Sequence, residues 1–135
     1  MAIAYNNSNK NRYRDLDLNF IAHPIKKDIN ILTDMSAIVN SVKNLILLNH
    51  FEKPFHPEIG SNVRKMLFEN MDSISASILQ KEIKQTIINF EPRVSIQDIQ
   101  VTPDYDNNRF TVSMTFTTVN KQEPVQIEFF LARER

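Results

Sequence analysis

The chain has 135 residues, enough for one domain and one hydrophobic core. Hydrophobic residues make up 41% and charged residues 24%, and 16 basic residues balance 16 acidic ones, so no net charge draws the chain to nucleic acid or an anionic membrane. The absence of cysteine excludes disulfides, thiolate catalysis and Cys-type zinc sites, and fits folding in a reducing cytoplasm.

Residues 1–28 read as an extended N-terminal arm, and residues 29–135 as a single α+β domain. The arm opens on a polar, asparagine-rich stretch, Asn6 to Asn11, that has no face to bury and no apolar run of a signal peptide. Asp15 to Phe20 alternates apolar with polar residues, as a short strand or an extended docking segment does. From Ile31 to Asn49 the period becomes helical, with Ile31, Met35, Ile38, Val39, Val42, Leu45 and Ile46 on one stripe. Pro54 and Pro57 then bracket a non-helical connection, and Gly60, the single glycine, marks a turn that other residues avoid.

A second helix is expected from a cap at Ser61 or Asn62 through Asn70, with Val63, Met66 and Leu67 inward. A third should run from a cap at Asp72 or Ser73 to Phe90, burying Ile74, Ile78, Leu79, Ile83 and Ile87 before Pro92 stops it. Beyond Arg93 the period is two. Ile99 and Val101 belong to one strand, and Val94 and Ile96 lie out of phase with them, which implies a bulge or late start near Asp98. Phe110, Val112, Met114 and Phe116 form a second strand, and Val125, Ile127, Phe129 and Leu131 a third. Asp104–Asn108 and Asn120–Pro124 supply the turns. The fold class is therefore α+β: an N-terminal arm, three helices, then a three-stranded antiparallel β-meander packed on the helices.

Little in the chain carries chemistry. His23, His50 and His56 lack metal-ligand spacing, and no metal or other cofactor is expected. One glycine cannot build a phosphate loop, and no stretch is long and apolar enough to span a membrane. Glu58, Glu69 and Glu91 are the carboxylates to weigh for glycoside hydrolysis. They lack an accompanying aromatic cleft, since the chain holds no tryptophan and three tyrosines.

Four short motifs are informative by their order. Glu52-Lys53-Pro54, Pro57-Glu58-Ile59-Gly60, Leu67-Phe68-Glu69 and Glu91-Pro92-Arg93 punctuate the helices and lead into the strands. This order, over residues 29–119, resembles the small baseplate wedge proteins of contractile-tailed phages. That family initiates the tail sheath and has a counterpart in the type VI secretion baseplate. Phe51 departs from the pattern, because the family places a turn glycine there, and Lys53 stands where the family has arginine.

The resemblance implies a structural, non-enzymatic component of the virion tail baseplate, assembled in the host cytoplasm. Its implied partners are other baseplate wedge proteins and tail sheath subunits, with no nucleic acid, membrane or small-molecule substrate. Partner contacts are implied at Lys53, Pro54, Phe55 and Gly60 in the first turn, and at Phe68 and Glu69 after the second helix. Glu91, Pro92 and Arg93 would face partners from the helix end. A sheath strand would pair with the meander near Ile127 and Phe130, by β-strand augmentation. Members of the family have also carried a lysozyme label, so a tail-associated peptidoglycan glycosidase is the alternative.

Overall fold

The computed structural model describes residues 14–17, 21–22, 24–25, 27–28, 31–119 and 121–133. The asparagine-rich start, the Leu18–Phe20 segment and His23 lie outside the described residues. Cα packing divides the chain into two compact units, Met1–Asn40 and Ser41–Arg135.

In the first unit, strand β1 (Arg14–Leu16) pairs antiparallel with β2 (Ile31–Thr33), Asp15 facing Leu32. The alternating segment is thus a strand at its start. Ile31, expected in the helix, is in β2 instead. The first helix, α1, spans Asp34–Leu47, roughly 21 Å at 1.5 Å per residue. Of the expected stripe, Ile38, Val42, Leu45 and Ile46 are buried and Met35 and Val39 half-buried, and the small Ala37 joins the buried set.

The second unit contains the last turns of α1, a short helix α2 (Val63–Met66), helix α3 (Ser73–Phe90) and three strands. The expected run to Asn70 shortens to one turn of α2. The amides of Phe68 and Glu69 donate three residues back, to Lys65 and Met66, which tightens the chain out of α-geometry. Asn62 does not cap α2. Its backbone and side-chain amides both donate to Glu82 on α3, while Ser61 Oγ accepts from the Val63 amide. Asp72 caps α3 as expected, accepting from the Ser75 amide at 2.6 Å.

Helix α3 buries Ser75, Ala76, Leu79, Ile83, Thr86 and Ile87. Ile78, expected in the core, is 49% exposed, whereas Leu79 is 1% exposed. Ile74 is exposed too. The inward line runs through Ala76, Leu79, Ile83 and Ile87. Counting only large apolar side chains overlooks the alanine, which allows close approach, and so shifts the stripe toward Ile74 and Ile78.

The sheet is an antiparallel meander of β3 (Val94–Asp104), β4 (Arg109–Thr118) and β5 (Lys121–Ala132), with β4 central. The register between β3 and β4 slips between Ile96 and Asp98, leaving Gln97 as the extra residue. That bulge is the phase change seen in the sequence: Val94 faces the core before it, Ile99 and Val101 after it. On β4, Phe110, Val112, Met114 and Phe116 are all buried, and α3 packs against β3. Pro124, expected ahead of the last strand, is inside β5. It sits where the pairing with β4 is irregular, between Thr118↔Lys121 and Phe116↔Val125. Ile127 and Phe129 are only partly buried, because α3 packs against β3, at the opposite edge of the sheet.

Candidate functional site

Three features bring the motif residues into defined positions. The first is the corner between α3 and β3. The Glu91 amide closes α3 on the Ile87 carbonyl, Pro92 follows, and the Val94 amide returns to the Glu91 carbonyl. Pro92 fixes one backbone angle of this turn. Arg93 Nε donates to Glu91 Oε1 at 2.5 Å and its Nη2 to Oε2 at 2.6 Å, a two-pronged ion pair. Ser41 Oγ on α1 donates to Glu91 Oε2 at 2.8 Å, and Arg93 Nη2 lies 3.2 Å from the same hydroxyl. Glu91 is 3% exposed. Glu91, expected to face partners from the helix end, is instead turned inward, onto Arg93 and Ser41. Burial pushes the Glu91 carboxyl up, but hydrogen bonds from Arg93 and Ser41 and the guanidinium charge outweigh it and hold the group below its ordinary value. Pro92 is exposed and Arg93 partly so.

The second feature is the turn from α1 to α2. Asn49 donates its backbone and side-chain amides to the Glu52 carboxylate at 2.9 and 2.7 Å, holding that carboxyl below its ordinary value. Lys53, Pro54 and Phe55 project from this loop and are exposed. His56 Nδ1 lies 3.2 Å from Glu58 Oε1, both side chains in solvent. Gly60 closes the loop against Asn49, whose neighbour Leu48 accepts the Ser61 amide at 2.8 Å. A Cβ on Gly60 would stand 2.7 Å from the Asn49 carbonyl carbon and the His50 nitrogen, at φ +154°. Here glycine is required by close backbone approach as well as by the angle.

The third feature is the β5 edge with the groove at its end. An open groove of about 740 Å³ lies between the end of α1, α2 and the last residues of β5. Phe68 and Phe130 are exposed on it, with Leu47, Leu67 and Leu131 in its lining. Arg133 donates to the Leu67 and Glu69 carbonyls and lies 5.4 Å from the Phe68 ring centroid. Arg109 stacks over the Phe130 ring at 3.9 Å, while pairing with Asp104 at 2.9 Å. Thus Phe68 and Phe130, far apart in sequence, converge on one groove, and the Glu69 carbonyl beside it is tied to Arg133. Ile127 sits farther along β5, opposite Met114.

Sequence reasoning missed Ser41, Arg109 and Arg133. Each acts through a tertiary contact at long sequence range, and none sits in a local motif. Among the described residues no group of histidines and carboxylates is placed to hold a metal ion.

Residues 26–122 match the family described as baseplate wedge protein gp25, and the chain belongs to that family. It is 30% identical to the baseplate wedge protein gp25 of Enterobacteria phage T4 over 107 residues, 78% of this chain and 81% of the relative. Two solved structures share the fold at 14% identity. One is described as a tail lysozyme from Geobacter sulfurreducens, with a TM-score of 0.66 over 73% of this chain and 89% of the other. The second is in the anti-feeding prophage baseplate, with a TM-score of 0.61 over 91% of this chain and 87% of the other.

Proposed function

We propose that this protein, as a baseplate wedge component without catalysis, starts the tail sheath by accepting a strand from a sheath subunit on the free edge of β5. The observation that supports this is the contrast between the two sheet edges. β3 is interrupted by the Gln97 bulge and carries Pro103, both devices that discourage pairing. From Val125 to Ala132, β5 keeps unbroken register with β4 and contains no proline. Val125, Ile127 and Phe129 are only partly buried, so an added strand gains apolar contact as well as main-chain hydrogen bonds.

Other wedge proteins are the second class of partner, met through Phe55, Lys53 and Pro54 on the loop, through the groove that Phe68 and Phe130 line, and through Glu69. Pro92 and Arg93 offer the accessible part of the helix-end corner. Residues 1–28 act as an arm, with 29–135 as the wedge domain. Assembly takes place in the host cytoplasm, and the neutral net charge gives no attraction to nucleic acid or membrane. A glycosidase reading is disfavoured. A general acid needs a raised pKa, and Glu91 is lowered and occupied by Arg93.

The test is Ile127→Pro, which removes a backbone donor and distorts the edge strand. Sheath polymerisation on purified baseplates should fail, while circular dichroism and incorporation of the variant into baseplates confirm that it folds. Gln126→Lys, on the outer face, should polymerise sheath normally. Density with both sheet edges free beneath a complete sheath would eliminate the mechanism. Turnover of peptidoglycan by purified protein, lost in a single Glu→Gln variant, would restore the enzymatic reading.

A further inference from the structure

The groove at the end of β5 joins exposed aromatic surface to an excess of one charge. Phe68 is 63% exposed on it and Phe130 52% exposed, beside the buried Leu67 and Leu131. A single exposed phenylalanine is ordinary. Two on one groove, each with a guanidinium against its ring, form a shared surface. Three cations line the groove, Arg64, Lys65 and Arg133, against one carboxylate, Glu52. Glu52 is already engaged. Asn49 donates to both of its oxygens, and the Arg64 charge acts on it. Arg133 donates from Nε and Nη2 to the Leu67 and Glu69 carbonyls. Those bonds orient the guanidinium without neutralising it, and leave further N–H donors on it for an acceptor. Among the described residues neither Lys65 nor Arg133 has a carboxylate partner.

We propose that this groove receives an acidic segment of another wedge protein, with a large apolar side chain seated against Phe68 and Phe130 and carboxylates meeting Lys65 and Arg133. This rests on the baseplate reading and adds the chemistry of the partner at that groove. The apolar side chain removes exposed ring surface from water. A carboxylate gains charge-assisted hydrogen bonds from the oriented Arg133 guanidinium. The excess of positive charge in the lining favours an acidic segment over a basic one. Single-stranded nucleic acid is the weaker occupant. It also stacks on aromatic rings, but it needs a basic track along its backbone, and here Glu52 lies among the three cations.

The experiment places a photo-crosslinking residue at Phe68 in phage whose tails are then purified, and reads the coupled peptide by mass spectrometry. That peptide should come from another wedge protein and carry aspartates or glutamates flanking a large apolar residue. Lys65 is exposed on α2, so Lys65→Glu should leave the thermal midpoint of the isolated chain at the wild-type value. It should lower the crosslinked product by about tenfold or more, because like charges then meet across the contact. Lys65→Gln, which removes the charge without reversing it, should lower the product less, again with an unchanged midpoint. Replacing a carboxylate of the coupled peptide by lysine should restore the product in Lys65→Glu. A coupled peptide without acidic residues, a product indifferent to both Lys65 variants, or a failed restoration would overturn the proposal. So would coupling within this chain. A nuclease-sensitive product would assign the groove to nucleic acid instead. Absence of the wild-type chain from purified tails would defeat the baseplate reading itself, which separates the two failures.

Discussion

Replacing Arg93 by alanine tests the inward corner most directly. In the folded protein the Glu91 carboxylate is buried and takes two short bonds from Arg93 and one from Ser41. Without the guanidinium, an anion remains in a site that favours the neutral acid. Breaking a buried pair from one side costs about 3–5 kcal/mol. The Arg93 side chain is 29% exposed, so water entering its place recovers part of that, and a loss of about 2–4 kcal/mol at neutral pH is expected. With a urea dependence of roughly 1–3 kcal/mol per molar, the midpoint should drop by about 1–2 M. The pH dependence has a definite sign. The folded pKa of Glu91 lies below its value of 4.5 in an open chain. Its contribution is therefore complete above that value and disappears as pH falls through the folded pKa. In Arg93→Ala the remaining buried carboxyl protonates readily, so the gap between wild type and variant should narrow toward acid. Urea titrations at about pH 7 and about pH 3.5 measure both effects. A loss at neutral pH below about 0.5 kcal/mol, or a gap that does not narrow, would refute the buried-pair argument.

Three further substitutions probe the fold that carries the proposed contacts. Gly60→Ala sets a Cβ against Asn49 and His50 backbone at 2.7 Å and should cost about 2–4 kcal/mol in chemical denaturation. Leu79→Ala should cost about 2–5 kcal/mol and Ile78→Ala at most about 1 kcal/mol, read from the same titrations; equal losses would show that the inward line of α3 is misplaced.

Local patterns in the sequence reached most of the fold. The Asp72 cap, the Pro92 stop and the strict alternation of Phe110 to Phe116 are set by neighbouring residues. So is the phase slip at Gln97, because a bulge changes which parity faces the core. What stayed hidden depends on contacts across the chain. Ala76 carries the inward line of α3 only because a small side chain lets another element approach, which composition does not reveal. Ile31 follows the helical period but pairs with Leu16 in a strand. Glu91-Pro92-Arg93 was legible as a helix end, but not as a closed pair. Its third member, Ser41, is 50 residues away. The aromatic end of the groove was likewise only partly visible, since Arg109 and Arg133 gave no sign of stacking on Phe130 and Phe68.

The asymmetry of the sheet edges bears on what the last strand is for. A small sheet that only needed to avoid aggregation would gain from interrupting both edges. Here β3 has a bulge and a proline, while the irregularity of β5 is confined to the segment before Val125. The remaining stretch is the part opposite the buried face of β4, where register is well specified. A one-residue slip of an added strand would exchange its apolar and polar faces. On the proposed reading, the partly buried line of Val125, Ile127 and Phe129 fixes that register, and the outer line of Gln126, Glu128 and Phe130 remains beside the incoming strand. The docking strand should then alternate apolar and polar residues over the same length, with its apolar side continuing the line of Ile127 and Phe129. Moving that alternation by one residue in the partner should abolish pairing without changing its composition.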